Sequence, residues 1–189
     1  MSVIGHDEVH RRVREENLIE NLSERELNNP EGVGLDLRLG AVYKIAEGGA
    51  FIEADGPAGL GKRKGVKSEL IAEYDPNEKE QPVAMLEPGE YYLVKTIESL
   101  NVALDLMPVV DGRGSLAKSG CFLFATKTDP GYKGFLGFGL YNFSKFPVKI
   151  QLGARFCNIV FHKIEGKTSA YRGQHQGGRV AIHEEEQQV

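Results

Sequence analysis

With 189 residues, 41% of them hydrophobic, the chain is long enough to bury a core without disulfides or a structural metal. Its 23 Lys and Arg against 27 Asp and Glu give a net charge of -4, with both signs mixed along the chain, which argues against a protein that coats nucleic acid. No signal-peptide core opens the chain and no apolar run is long enough to span a bilayer, so a soluble, cytoplasmic protein that engages neither membrane nor nucleic acid is expected.

Residues 6–19 read as a helix, with Val9, Val13, Leu18 and Ile19 on one stripe and charged residues on the other face. His6 and His10, four apart on that helix, read as a solvated pair rather than metal ligands. The polar, Pro-broken stretch from Asn21 to Glu31 is a connector with room for one helical turn. From Leu35 the period changes to two. Leu35, Leu37 and Leu39 alternate with Asp36 and Arg38 up to Gly40, the pattern of a half-buried strand. Short β-branched and aromatic runs then recur at 42–45, 50–54, 69–74, 91–97, 104–110, 121–126, 135–143, 147–152 and 155–161, separated by Gly- and Pro-containing turns. Many short strands at this spacing predict a mostly β chain, an antiparallel sandwich, jelly roll or barrel. Cys121 and Cys157 sit inside apolar runs and read as buried, reduced thiols. Three segments follow: residues 1–31 as helix and connector, 32–166 as a β domain, and 167–189 as a polar, mobile tail.

Three glycine-containing segments are candidates for chemistry. Gly56-Pro-Ala-Gly-Leu-Gly61-Lys62 fits most of a P-loop, but Arg63 stands where a magnesium-binding hydroxyl belongs, and no helical period follows. The stretch Asp111–Gly120 has small residues that let a backbone approach an anion. Arg113 offers a planar fork to phosphate oxygens and Lys118 a point charge. It also reads as a plain Gly-rich turn. Lys127–Gly134 reads either as an ordinary hairpin or as a turn presenting Asp129, a carboxylate able to take a proton from water, and Tyr132, a ring able to pack on a sugar.

These segments, in this order, resemble the dCTP deaminase/dUTPase family. Gly34–Gly40 resembles the family's first strand, Leu86–Glu90 its turn into a central strand, and Gly112-Arg113-Gly114-Ser115-Leu116-Ala117 its phosphate-contacting segment. Asp129–Gly134 with Tyr141-Asn142 is similar to its sugar-and-base hairpin, Leu152–Arg155 to the turn that follows, and Tyr171–Gln174 to the start of a tail that folds over nucleotide. The resemblance implies a dUTPase fold assembled as a homotrimer, with sites between subunits. It also implies a deoxynucleoside triphosphate substrate, dUTP or dCTP, arriving with Mg2+ held mainly by its phosphates. No metal site of the chain's own is expected. On this likeness Asp129 is the catalytic base. Arg113, Ser115, Lys118 and Asn158 hold phosphates, Tyr132 and Asn142 line the sugar and base side, and Tyr171 and Gln174 close the lid.

The departures decide the chemistry. Gly139 stands where the deaminases carry the glutamate that activates water for attack on cytosine. Gly114 replaces a serine, Ala170 a lysine and Asn158 a glutamine. In the family's dUTPases the hairpin aspartate positions water at the α-phosphate and no glutamate is needed at the position of Gly139, so conversion of dUTP to dUMP and diphosphate is the leading expectation. The alternatives are dCTP deamination, with Glu98 or Glu165 standing in for the missing glutamate, and an inactive nucleotide-binding relative.

Overall fold

The computed structural model describes residues 2–57, 59–181 and 184–187. In chain order its elements are β1 (Ser2–Val3), α1 (His6–Glu16), β2 (Ile19–Glu20), α2 (Glu24–Asn28), β3 (Leu35–Ile45), β4 (Phe51–Ile52), β5 (Lys62–Lys64), β6 (Ser68–Glu73), β7 (Val83–Leu86), β8 (Tyr91–Asn101), β9 (Leu106–Gly112), α3 (Gly114–Lys118), β10 (Cys121–Phe124), β11 (Lys133–Asn142), β12 (Val148–Gln151), β13 (Arg155–Lys163) and β14 (Glu186–Gln187). The main sheet runs β1-β13-β3-β8-β11-β10, with β9 on β13, β6 on β3 and β2 on β8, and its strand pairs are antiparallel. The expected mostly β, antiparallel architecture with an N-terminal helix is what forms. Among the described residues no helix is long and apolar enough to cross a membrane.

β3 is the central element, and it departs from the half-buried strand its alternation suggests. It pairs β13 through residues 35–38, then β8 and β6 further along. Gly40 does not end it. The pairing with β8 shifts register there, and a Cβ at Gly40 would lie 2.7 Å from the Thr96 carbonyl oxygen, so a bulge carries the strand on to Ile45. Leu35, Leu37 and Leu39 are fully buried on one side, joined in the core by Leu86, Tyr92, Leu140, Phe156 and Phe161. Asp36 on the other side is also buried.

α1 stops at Glu16 because Asn17 turns left-handed (φ 54°). Leu18 and Ile19 therefore reach the core from outside the helix, with Ile19 paired to Leu100 of β8. His10 is buried, not solvated, its Nε2 hydrogen-bonded to the Glu26 carbonyl at 2.8 Å. The expected single turn in the connector is α2, whose first turn is capped by Ser23. The P-loop-like run is a β-hairpin instead: β4 pairs β5, and Gly56 bridges Gly59. Ala58 of that run lies outside the described residues. Both cysteines are free and buried, and burial pushes the Cys157 thiol well above its ordinary range.

One buried ion pair ties the middle of β3 to β8. Glu98 has no exposed surface, receives Arg38 Nε at 2.7 Å, and accepts the Arg38 backbone N–H at 2.8 Å. Burial nonetheless raises its carboxyl above the ordinary value of 4.5, with Arg38 opposing the shift. Removing Arg38 strands the charge, so Arg38→Leu is expected to cost about 3–5 kcal/mol in urea denaturation at neutral pH. Glu98→Gln should cost clearly less. A raised folded pKa contributes stability that is present below 4.5 and lost as pH rises through the folded value. Glu98→Gln is therefore expected to gain on the wild type across that rise in pH.

Candidate active site

The hairpin between β10 and β11 is set by Gly131, at φ 77°, where a side chain would be strained. The turn closes with Tyr132 N–H donating to the Asp129 carbonyl at 3.2 Å and Gly131 N–H donating to the Val102 carbonyl at 2.9 Å. Asp129 and Tyr132 thereby line one cavity of about 310 Å³, together with Lys127, Thr128, Tyr171 and Arg179. The Asp129 side chain is partly exposed, and Lys127 Nζ contacts its Oδ1. Tyr132 is almost wholly buried: its hydroxyl donates to the Phe135 carbonyl, and its ring meets Tyr171 edge-on at 5.6 Å. Burial pushes the Tyr132 phenol up to about 12, so it stays neutral and acts as a wall rather than a proton acceptor.

The polar tail is tied to this hairpin. Tyr171 N–H donates to the Pro130 carbonyl at 2.7 Å and Gly177 N–H to the Lys133 carbonyl at 2.7 Å. Gln176 both accepts from Lys133 N–H at 2.9 Å and donates to the Gly131 carbonyl at 3.1 Å. Over this stretch the tail lies docked against the hairpin. Gln174 points further along, its amide donating to the Gln187 carbonyl at 3.1 Å and to Glu186 at 3.4 Å, and it is not among the cavity-lining residues.

The predicted phosphate residues gather elsewhere. Asp36 on β3 receives Arg155 at 2.9 Å, Arg113 at 3.4 Å and Asn158 Nδ2 at 3.0 Å. Glu26, buried beside them, contacts Arg25 and accepts the Asp36 N–H at 3.1 Å. Arg113 is the residue before α3, and Ser115 and Lys118 lie within that short helix. Ser115 lines a shallow depression with Ser119, Lys149 and Arg155. Lys127 bridges Val109 of β9, and Arg113 lies four residues further along, roughly 13 Å at strand spacing. Within one chain the Asp129 cavity and the depression lined by Ser115 and Arg155 share no residue, and Arg113 lines neither.

Asn142 does not face a pocket. Alternation along β11 turns Leu136, Phe138, Leu140 and Asn142 inward, and Asn142 has no exposed surface. Its amide donates to the Leu86 carbonyl at 2.8 Å and the Phe146 carbonyl at 2.9 Å, and its oxygen accepts Ser144 N–H at 2.9 Å. It is a structural clamp for the β11–β12 turn. Neither imagined substitute for the missing glutamate reaches Gly139. Glu98 is held by Arg38, and Glu165 lines a separate depression with His162 and Lys163. What lies on Gly139 is Tyr91, a residue with no local sequence signal, whose hydroxyl occupies the space a Cβ would take.

Residues 3–164 match the family described as dCTP deaminase-like. The dCTP deaminase of Pyrococcus furiosus is 35% identical over 167 residues, 88% of each chain. A protein named dCTP deaminase, dUMP-forming, from a Sulfurihydrogenibium species is 36% identical over 97 residues, covering 50% of this chain and 54% of that one. Among solved structures, the 2'-deoxycytidine 5'-triphosphate deaminase of Agrobacterium tumefaciens superposes with a TM-score of 0.59 at 19% identity, over 84% of this chain. At that identity the likeness is one of fold, and this chain spans 48% of that protein's length.

Two outcomes test these placements. Asn142→Ala leaves the buried Leu86 carbonyl and the half-buried Ser144 N–H without this partner, so it is expected to destabilise the fold by about 1–3 kcal/mol in chemical denaturation. Tyr171→Ala removes the ring contact with Tyr132, so hydrogen exchange should rise over residues 171–178 while the β8–β11 pairing stays protected.

Proposed function

Because the chain belongs to the dCTP deaminase-like family, we propose that it is a deoxynucleoside triphosphate diphosphatase, cutting dUTP to dUMP and diphosphate. The observation that carries this reading is the contrast between two positions. Asp129 offers a partly exposed carboxylate in a cavity walled by Tyr132 and Tyr171, whereas the position for attack on a base ring holds Gly139, without a proton-transfer group. Lys127 engages Asp129 Oδ1, and Oδ2 has no hydrogen-bond partner among the described residues, so it is open to water.

In this reading Asp129 takes a proton as water oxygen bonds to the α-phosphorus. The bond from that phosphorus to the oxygen bridging toward the β-phosphate breaks, and diphosphate leaves. Such a reaction is carried by positioning and charge neutralisation more than by covalent chemistry. Arg113 and Arg155 supply guanidinium groups fixed against Asp36, Asn158 bonds the same carboxylate, Ser115 lines a depression with Arg155, and Lys118 lies in the short helix that follows Arg113. Tyr132 packs on the sugar, and Tyr171 holds the tail over it. Mg2+ would arrive with the phosphates as its principal ligands. There the ion would neutralise phosphate charge. A single chain separates the Asp129 cavity from the Arg113 cluster. A site made of both halves is therefore best completed between copies, in a cytoplasmic homotrimer.

Deamination of dCTP is the second reading, favoured by the name of the Pyrococcus relative. It needs a proton-transfer group that Gly139 lacks. The protein incubated with Mg2+ and dUTP is expected to release diphosphate, with Asp129→Asn lowering kcat by about a hundredfold or more. With dCTP no ammonia should appear. Ammonia from dCTP, or diphosphate release unaffected by Asp129→Asn, would overturn the proposal. Tight nucleotide binding with neither product would mark a binding protein instead.

A further inference from the structure

β11 carries two glycines on its outer face, Gly137 and Gly139. Gly137 lines the Asp129 cavity, and Gly139 follows two residues later, roughly 7 Å along the same face. Gly139 is paired with Leu93 of β8 and with Phe124 of β10. Tyr91, two residues before Leu93, reaches diagonally across it, as cross-strand neighbours of this kind can. A Cβ built on Gly139 would overlap the Tyr91 hydroxyl, with the ring carbons immediately behind. The Phe124 ring backs Tyr91 with centroids 6.0 Å apart, tilted by 50°. A phenol thus fills the space into which any side chain at position 139 would project.

We infer that Tyr91 determines which base the site accepts: its hydroxyl stands in for a carboxylate at position 139 and favours a pyrimidine with a carbonyl at ring position 4. The inference rests on the proposed reading, in which Gly139 faces the base. A carboxylate only accepts hydrogen bonds, so it suits a ring amino group and repels a ring carbonyl. A phenol turns its proton outward and donates to that carbonyl. Tyr91 is 39% exposed, and its hydroxyl has no hydrogen-bond partner among the described residues, so the proton is free to reorient. Burial raises the phenol above its ordinary range, which keeps it protonated at neutral pH. Tyr91 is therefore a donor to the base and does not restore water activation.

The test titrates the full-length protein with Mg2+ and the non-hydrolysable α,β-imido analogue of dUTP. The matching triphosphate whose base lacks the 4-oxygen is titrated in parallel. Tyr91→Phe is expected to weaken binding of the first by about threefold to tenfold and to leave the second within about twofold. Equal weakening of both, or of neither, overturns the inference. Neither analogue is hydrolysed, so the expected binding pattern without dUTP turnover would sink the proposed reaction and leave Tyr91's role supported. Failure of the wild type to bind either analogue overturns both. Geometry is checked without nucleotide: Gly139→Glu should lower Tm, and adding Tyr91→Ala should recover most of the loss. Additive losses in the double variant would overturn the occupancy on which the inference stands.

Discussion

Burying β3 on both faces is the constraint from which the polar architecture follows. A strand covered on both faces leaves little water around Asp36 and Arg38, and a buried charge without a partner costs several kcal/mol. Arg38 is answered by Glu98 from β8. Asp36 is answered by Arg155 and Asn158 of β13, by Arg113 at the entrance to α3 and, at 3.9 Å, by Arg25 of α2. Arg113 and Asn158, two of the candidate phosphate-binding residues, are thus also partners of the central strand's buried carboxylate.

This double duty shapes what they can offer a ligand. A guanidinium has five donors in a rigid fork, and Arg113 contacts Asp36 through one of its terminal nitrogens. The rest of the fork is left for a second anion, on a side chain whose conformational freedom is already spent on the first. Asn158 is tucked more tightly: a Cβ at Gly34 would overlap its amide, so the backbone of the segment before β3 covers it. Its first task is to hold Asp36, and through Asp36 the orientation of Arg113. The preference for glycine at position 34 is then a packing requirement of the same cluster.

Period-two patterning made most of the strands legible in the sequence, because one face of each is apolar and the turns between them carry Gly or Pro. The same rule, carried six residues further along β11 from Leu136, would have turned Asn142 inward. Family likeness placed it on the base side instead. Features set by tertiary contact had no local signature. Gly40 looked like a terminator because a glycine after alternating residues is a turn signal, whereas the close Thr96 carbonyl makes it a bulge. α1 looked longer because Leu18 and Ile19 continue its apolar stripe, yet Asn17 breaks it and β8 claims Ile19. The Asp129 hairpin was readable as a unit. Its separation from the Arg113 cluster within one chain was not, since spacing along a sequence says nothing about which cavity a side chain lines.

Glycines on the hairpin and β11 show why a missing side chain is not the same as missing chemistry. At Gly131 the space for a Cβ is taken by Ala170, at Gly134 by the backbone of Gly177 and Gly178, and at Gly139 by Tyr91. Each is small because another part of the chain is seated there. The first two let the tail lie flat enough for Tyr171, His175 and Arg179 to form one wall of the Asp129 cavity. A cavity built partly by a docked tail has its depth only while the tail is docked. A ligand held by that wall must therefore stabilise the docked state, and by linkage the docked state must tighten the ligand. Gly139 belongs to the same logic: read along the sequence it is the loss of a carboxylate, and across the sheet it is the gain of a phenol.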